Sequence, residues 1–451
     1  HIITFGTMAP KVCIKDVARA LDVDIPEANR LAGLVPDGPK TTLDDAFKAS
    51  PDLRNELEHG SEMSRRILGI VQKLDGSVRQ VGVHACGVII SRDPLTETIP
   101  VKPSDKDALL CTQYDGHFVE PIGLLKMDFL GLKTLTVLKE CLASIQEARG
   151  ETVDIESIPL DDAETFAVFS RGDTTGLFQF ESDGMKKHLR ALQPNRIEDL
   201  VAMNALYRPG PMQYIPQYIE RKHGRERVSY DHPMMEPFLK TTYGITVYQE
   251  QVMLLSRALA GFTRGQSDTL RKAMGKKDEK MMNEMKPKFV DGCLANAEFM
   301  KQCRGQDAAR QLVDKIWEDW KSFAQYAFNK SHSVCYAYLA YQTGYLKAHY
   351  APEYMCAQIT SEMGNFDKMP VFIAEAVAMG YRILPPCINQ SSAIFLPERL
   401  EDGESFGLRY GLAGIKGVGL GAAQAVAAER KRGGPYRSFG DFVGRLGGAV
   451  N

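Results

Sequence analysis

A lysine and an aspartate two residues apart are the clearest candidates for chemistry in this chain. Lys126 and Asp128 lie in the segment 123–134, GLLKMDFLGLKT, within an otherwise apolar run. Alternation along an extended strand places both side chains on one face, with Leu125 and Met127 on the apolar opposite face. A rigidly held carboxylate is a Mg²⁺ ligand, and an adjacent ammonium can meet a phosphate. The pattern is typical of metal-dependent phosphoryl transfer, although taken alone it equally fits an edge strand with one solvated face.

The size and composition of the chain describe a globular protein with several domains. It has 451 residues, of which 44% are hydrophobic and 25% are charged. No apolar run approaches the roughly 20 residues that span a bilayer, so we expect no membrane partner. The nine cysteines include no Cys-x-x-Cys pair, which favours reduced thiols in a cytoplasmic protein over a zinc site or disulfide framework. With a net charge of −2, any nucleic-acid-binding surface must be local.

Hydrophobic periodicity predicts two largely helical regions with a small β region between them. The predicted helices of the first region cover 11–23, 26–34, 42–58 and 61–74. The predicted strands cover 82–90, 109–114 and the segment that contains Lys126 and Asp128. These strands are followed by a helix from 134 to about 150 and a mostly helical stretch over 160–360. The pattern then predicts an αβ segment at 366–390 and a Gly-rich hairpin with a helix at 411–430. Near the strands, His84, Gln113 and Asp115 could line a site, but structural hydrogen bonds explain them equally well.

A local excess of positive charge lies between residues 264 and 288. This segment has eight basic and four acidic residues, a net charge of +4 in a chain that is slightly negative overall. Lys272 and Lys276 are four residues apart on one helical face, and Arg271 adjoins them. Arginine can bind phosphate with two parallel hydrogen bonds and lysine acts as a point charge, so the group suits a triphosphate. A solvated helix face is the competing interpretation.

Two further segments have polar residues at turns. In the turn FNKSHS, residues 328–333, Asn329 and His332 lie at the start of a predicted helix, where backbone N–H groups favour an anion. As a structural alternative, Ser331 or Ser333 can cap that helix.

The second segment, GLAGIKGVG at 411–419, precedes an Ala-rich helix and fits the hairpin of a helix-hairpin-helix. Its residues Gly414, Lys416, Gly417 and Gly419 are candidates for sequence-independent contact with DNA phosphates. A Gly-rich turn without a ligand is the alternative.

Taken in order, these motifs resemble the catalytic alpha subunit of bacterial DNA polymerase III, the C family of DNA polymerases. The similarity is nearly continuous from Ile2 to about residue 440. The motifs that carry it are IITFGTMAPK (2–11), HACGVII (84–90), GLLKMDFLGLKT (123–134), TTGLFQFES (174–182), NALYRPGPM (204–212), YGITVYQEQVM (243–253), LRKAMGKK (270–277), FNKSHSVCYA (328–337) and GLAGIKGVG (411–419).

The resemblance implies template-directed addition of deoxynucleotides to a primer 3′ end, with release of pyrophosphate. Family members use three palm aspartates that hold two Mg²⁺ ions. Asp128 matches the third aspartate and Lys126 the lysine beside it. The family's region that binds the incoming nucleotide is matched here by five residues: Arg271, Lys272, Lys276, Asn329 and His332. The implied partners are primer-template DNA, dNTPs and the sliding clamp, proofreading and clamp-loader subunits.

The resemblance also predicts a right-hand polymerase architecture. The predicted domains are a thumb (1–80), the remainder of a palm (81–133), fingers (134–365), a connecting αβ segment of the fingers (366–410) and the start of a helix-hairpin-helix DNA-binding region (411–451). The first two aspartates of the family precede the position of His1, so we expect a fragment that does not polymerise alone. A non-catalytic primer-template-binding relative and a dNTP-binding regulator are the alternatives.

Overall fold

The computed structural model describes residues 1–38, 41–104, 109–276, 278–324 and 326–449. The chain divides into two compact units, His1–Leu132 and Lys133–Asn451. Both are built mainly of helices with small sheets, which confirms the predicted fold class. None of the helices in the described ranges combines the length and the apolarity needed to cross a bilayer.

The first unit contains six strands and six helices within its described residues. In chain order they are β1 (Ile3–Thr7), α1 (Pro10–Ala20), α2 (Ile25–Gly33), α3 (Leu43–Ala49), α4 (Pro51–His59), α5 (Glu62–Leu74), β2 (Val78–Val83), β3 (Gly87–Ile90), β4 (Val101–Pro103), β5 (Leu110–Thr112), α6 (Gly116–Val119) and β6 (Leu125–Asp128). The strands form three antiparallel pairs, β1 with β2, β3 with β6 and β4 with β5.

Helices α1–α5 form a helical lobe, residues 10–74, between the paired strands β1 and β2. Ile3 lies opposite Val83 and Thr7 opposite Val78, so the chain leaves and re-enters the strand pair at one place. The lobe has its own apolar core, to which α1 contributes Cys13, Ile14 and Val17.

Two predicted elements of the first unit are each broken in the structure. The predicted helix 42–58 divides into α3 and α4, because the Ser50 side chain accepts the N–H of Leu53 and starts a new helix at Pro51. The predicted strand 82–90 divides into β2 and β3. His84 Nδ1 accepts the N–H of Gly87 at 2.7 Å, which closes a turn between the two strands.

The second unit contains sixteen helices and three strands within its described residues. They are α7 (Lys133–Arg149), α8 (Ala163–Arg171), α9 (Asp183–Leu192), α10 (Ile197–Leu206), α11 (Ile215–Lys222), α12 (Glu236–Leu239), α13 (Gln249–Ala260), α14 (Arg264–Lys276), α15 (Glu279–Ala295), α16 (Ala297–Lys301), α17 (Gln306–Ala324), α18 (Lys330–His349), α19 (Ala351–Ser361), α20 (Met369–Ala378), β7 (Ile383–Leu384), β8 (Leu396–Arg399), β9 (Phe406–Arg409), α21 (Leu420–Gly433) and α22 (Phe439–Leu446).

An aromatic cluster organises the middle of the second unit. Phe289 on α15 packs against the rings of both Trp317 and Trp320 on α17, with centroid distances of 5.3 and 4.8 Å. Buried residues of α13 and α14 complete this core. The packing positions α14, which carries the predicted phosphate-binding residues, against the body of the unit.

The buried polar side chains of helix α18 are hydrogen-bonded to neighbouring segments. The Ser333 hydroxyl donates to the carbonyl of Val201, and the Gln342 amide donates to the carbonyl of Ile155. Near its carboxyl end, Lys347 is 1% exposed. Its ammonium donates three hydrogen bonds, to the carbonyls of Asp173 and Thr175 and to Glu375, at 2.8, 2.9 and 2.6 Å. All of its donors are therefore satisfied inside the protein.

The last part of the second unit is a small sheet followed by a helical pair. In the sheet, β9 lies between β7, which runs parallel to it, and β8, which runs antiparallel. Helices α21 and α22 enclose a separate apolar cluster that includes Ala423, Val426 and Leu446. A hairpin at 415–419 leads into α21.

Replacing the buried ammonium should destabilise the second unit. Lys347→Met would leave Glu375 and two carbonyls without their donor, and we expect a loss of about 3–5 kcal/mol of unfolding free energy. The measurement is denaturant unfolding followed by tryptophan fluorescence, since both tryptophans, Trp317 and Trp320, lie in this unit.

Lys315→Met is the matched control. Lys315 is 55% exposed and pairs with surface carboxylates, so its loss should cost less than about 1 kcal/mol. Equal effects of the two substitutions would contradict the role given to Lys347.

Candidate functional site

Strand β6 places Lys126 and Asp128 side by side. Antiparallel pairing with β3 sets Ile89 opposite Lys126 and Gly87 opposite Asp128. Lys126 Nζ lies 3.6 Å from Asp128 Oδ1, with side-chain exposures of 23% and 54%. The two residues therefore share one face, as the sequence predicts, and the carboxylate remains accessible to a ligand.

The opposite face of β6 is apolar but not buried. Leu125 and Met127, and the following Phe129, are all exposed. The predicted apolar opposite face is therefore present, but it provides no buried backing for the strand within this unit. Asp128 is positioned by backbone hydrogen bonds instead, including the N–H of Phe129 to the carbonyl of Cys86 at 2.8 Å.

Sequence reasoning did not assign two further residues that lie close to Asp128. One ring nitrogen of His84, Cys86 Sγ and one carboxylate oxygen of Asp128 all lie within 4.8 Å of one another. The pairing of β3 with β6 brings these residues together. Because His84 and Cys86 are far from Asp128 in the chain, the sequence alone does not predict this proximity. The other unassigned polar residues have local roles: Asp115 caps α6 by accepting the N–H of His117.

Asp128 fits one ligand position of a Mg²⁺ ion. Mg²⁺ binds proteins through one or two carboxylates and takes further oxygen ligands from water and substrate phosphates. A half-exposed carboxylate meets that requirement. The imidazole and thiol beside it are softer donors, which Mg²⁺ does not prefer.

In the second unit, Arg271 and Lys272 are already paired with an anion. Asp268, one turn earlier on α14, lies 2.9 Å from the guanidinium of Arg271 and 2.9 Å from Lys272 Nζ. Hydrogen bonds from Lys272 and Arg271 hold the pKa of the Asp268 carboxyl below its ordinary value. Together the three side chains form a carboxylate-bound pair of cations.

Several cations of the predicted basic segment are thus paired with carboxylates. Lys286 also forms ion pairs, with Asp314 and Glu318 on α17. Lys276, at the end of α14, is exposed and has no ion pair within the part of the chain that the structure describes. Lys277 lies outside the described residues.

Asn329, and not Ser331 or Ser333, caps α18. Its side-chain oxygen accepts the N–H of His332 at 2.9 Å, while the Ser333 hydroxyl is used in the core. The serine cap that the sequence allows is therefore not formed. Since an Asn side chain reaches the N–H groups of the first turn as well as Ser does, the sequence offered no way to choose.

The start of α18 is joined to the start of α13. Tyr248 and Phe328 form an isolated parallel β-bridge, and the N–H of Gln249 donates to the carbonyl of Phe328. Glu250 accepts the N–H of Lys330 at 2.9 Å. A carboxylate of the protein itself therefore lies where the sequence predicts that an anion would bind.

The end of α14 approaches the same place. A Cβ added at Gly275 would lie 3.5 Å from the side-chain nitrogen of Gln249. The His332 ring lies against Phe328 and Tyr336, with centroid distances of 5.5 and 4.2 Å. Lys276, Asn329 and His332 thus belong to neighbouring helix ends within the second unit.

The hairpin before α21 presents three of its four predicted residues to solvent. Lys416, Gly417 and Gly419 are exposed, and Gly417 has φ of +90°, which favours glycine. Gly414 is buried, and its N–H donates to the carbonyl of Gly411.

Comparison with known proteins agrees with this architecture. The family model for the bacterial DNA polymerase III alpha NTPase domain matches residues 1–131, and the model for the finger domain of the same subunit matches 134–297. A helix-hairpin-helix model matches 380–451. The chain belongs to the family of bacterial DNA polymerase III alpha subunits.

Individual relatives match along almost all of the chain. DNA polymerase III subunit alpha of Chlamydia pneumoniae is 43% identical over 445 residues, covering 99% of this chain and 34% of the relative. The Thermus aquaticus protein of the same name is 42% identical, covering 98% and 35%. The Escherichia coli K12 protein is 41% identical, covering 99% and 38%. The chain thus spans about a third of the length of these curated relatives.

A substitution at Gly87 should disturb the positioning of Asp128. A Cβ there would lie 2.8 Å from Ile2 Cδ1 and 2.9 Å from His84 Nδ1. We expect Gly87→Ala to weaken the pairing of β3 with β6 by about 1–3 kcal/mol. Hydrogen exchange at the Phe129 amide measures this change, and its protection should fall roughly five- to hundredfold.

Gly69→Ala is the control in the same unit. Gly69 lies inside α5 with no atom within 4 Å of an added Cβ, and alanine should favour that helix by about 0.5–1 kcal/mol. Unchanged protection of the Phe129 amide in Gly87→Ala would show that the close contact does not hold the strand pair.

Proposed function

We propose that the chain is part of a DNA polymerase that adds deoxynucleotides to a primer 3′ end under the direction of a template, with release of pyrophosphate. The observation that carries the proposal is the accessible Asp128 carboxylate beside the Lys126 ammonium on one face of β6. Both residues match the positions that the resemblance assigns to catalysis. Membership of the alpha-subunit family supports the same activity.

In this proposal Asp128 is a catalytic residue that holds Mg²⁺ with further ligands. Two such ions, when bound, would activate the primer hydroxyl and neutralise developing charge on the triphosphate. Lys126 supplies a fixed positive charge 3.6 Å from Asp128 Oδ1, where a phosphate oxygen can approach. Because β6 is short and paired along its length with β3, the two charges keep their spacing.

We assign Arg271, Lys272 and Lys276 to the incoming triphosphate. Asp268 occupies Arg271 and Lys272 in the free protein, so phosphate oxygens would replace carboxylate oxygens on the same cations. This exchange avoids leaving either charge unpaired before the nucleotide arrives. Asn329 and His332 shape the adjacent helix start.

The hairpin residues are assigned to the DNA backbone. Lys416 supplies charge, and Gly417 and Gly419 let backbone N–H groups approach a phosphate without side-chain obstruction. Gly414 has a packing role, since its Cβ position faces Phe395 and Tyr410 at 3.0 Å. Primer-template DNA and dNTPs are the proposed substrates, and the sliding clamp, proofreading and clamp-loader subunits are the proposed partners of a full-length alpha subunit.

The predicted thumb, palm and fingers ranges belong to this proposal. The resemblance implies three metal-binding aspartates, and these 451 residues contain the counterpart of the third, Asp128. A polypeptide of these residues alone is therefore expected to bind primer-template DNA without extending it.

Substitution of the proposed metal ligand should abolish catalysis and spare DNA binding. In a full-length alpha subunit that carries these 451 residues, we expect Asp128→Asn to remove nearly all primer extension, because an amide cannot replace a carboxylate that holds two cations. Primer extension and DNA affinity are measured on the same preparations.

Asp52→Asn, on the exposed first turn of α4, is the control and should extend primers normally. Substantial turnover by Asp128→Asn would place the metal site elsewhere. A full-length protein that binds primer-template without extending it would instead be a non-catalytic relative.

Loss of either triphosphate contact should weaken nucleotide use specifically. A hydrogen bond to a charged group contributes about 1.5–3 kcal/mol, so Arg271→Ala or Lys272→Ala should raise the KM for dNTP roughly ten- to a hundredfold. Steady-state extension at varied dNTP concentration measures this, with Lys288→Ala on α15 as the control. A KM that stays at the unsubstituted value would refute the assignment.

A further inference from the structure

We propose that His84, Cys86 and Asp128 form a binding site for a thiophilic divalent cation of the Zn²⁺ class. Their candidate ligand atoms, one imidazole nitrogen, one thiol sulfur and one carboxylate oxygen, lie within 4.8 Å of one another. The absence of Cys-x-x-Cys pairs argued against zinc at the level of sequence, but this set is assembled from the turn between β2 and β3 and from the end of β6. The site does not depend on the polymerase assignment.

The spacing of the ligand atoms suits a tetrahedral ion. His84 Nδ1 and Cys86 Sγ are 3.7 Å apart. Zinc lies about 2.3 Å from sulfur and about 2.0–2.1 Å from nitrogen, so a tetrahedral site separates these two atoms by roughly 3.5 Å. Very little movement is therefore needed for both to reach the same ion, and the Asp128 carboxylate can supply a third ligand.

The backbone holds the three residues in place. Gly87 lies opposite Asp128 in the β3–β6 pair, and the N–H of Phe129 bonds to the carbonyl of Cys86. The Cys86 backbone is thereby fixed to the residue that follows Asp128. Such preorganisation reduces the entropy lost when an ion is bound.

Two features limit the affinity. Lys126 Nζ lies 3.6 Å from Asp128 Oδ1 and competes with the ion. His84 Nδ1 accepts the N–H groups of Gly87 and Cys86 at 2.7 and 3.3 Å, and these hydrogen bonds are lost if that nitrogen binds metal. With three protein ligands and one open position, the site is weaker than a closed four-ligand structural zinc site.

The ligand types select zinc over magnesium. Thiolate and imidazole donors favour Zn²⁺, Co²⁺ and Cd²⁺, whereas Mg²⁺ requires oxygen ligands. If the proposed function holds, such an ion would occupy the carboxylate that catalysis needs. Zinc-class ions would then inhibit the polymerase at this position.

The test is a Co²⁺ titration of the 451-residue chain, with Co²⁺ as the spectroscopic probe for the site. We expect one Co²⁺ to bind with a thiolate-to-cobalt charge-transfer band, Zn²⁺ to displace it, and Mg²⁺ to leave it in place. Cys86→Ser should abolish the band and weaken binding by more than about tenfold, since even indirect partners of metal ligands contribute 10–100-fold. Cys335→Ser, which removes an exposed thiol on α18, should retain both the charge-transfer band and the Co²⁺ affinity.

A second measurement needs no substitution. Zn²⁺, but not Mg²⁺, should protect Cys86 from alkylation, as located by mass spectrometry, and should leave Cys335 reactive. A charge-transfer band that survives in Cys86→Ser, or equal alkylation of Cys86 with and without Zn²⁺, would overturn the proposal. Metal binding together with an active Asp128→Asn polymerase would retain this site and reject the catalytic role of Asp128.

Discussion

The buried ammonium of Lys347 is the constraint that ties helix α18 to two other segments of the second unit. Helix α18 has polar side chains inside the protein, so burial of an apolar stripe cannot by itself fix its rotation. The three hydrogen bonds of Lys347 do so at one end. Burial lowers the pKa of this lysine, and Glu375 opposes the shift by favouring the charged form. Asn329, the cap at the opposite end of the helix, lies 18 residues earlier, about 27 Å along the helix axis.

Both candidate anion sites of the second unit contain carboxylates of the protein itself. Asp268 binds Arg271 and Lys272, and Glu250 accepts the first N–H of α18. Under the proposed function, an incoming triphosphate would replace these carboxylates on the same cations and would not fill empty positions.

Local pattern predicted most helices because apolar spacing and capping residues lie close together in the chain. The predicted helix 61–74 corresponds to α5, with Ser61 as its cap. Contacts between distant segments were not predictable. The approach of His84 and Cys86 to Asp128 depends on strand register, and the contact of Glu250 with Lys330 joins residues 80 positions apart. The pairing of Asp268 with Lys272 was different, since its spacing of four residues was visible in the sequence.

The connection of the helical lobe has a consequence for how this part of the molecule can vary. The lobe is inserted between two adjacent strands, and the N–H of Met8 bonds to the carbonyl of Ser77 where the chain returns. Its entry and exit points therefore adjoin, as in domains that tolerate insertion into a host. The strands hold each other by their own backbone pairing, and the ion pair of Arg79 on β2 with Asp16 on α1 fastens the lobe to them. Changes in the length of the lobe can therefore be accommodated between its two ends while the strands that follow keep their places.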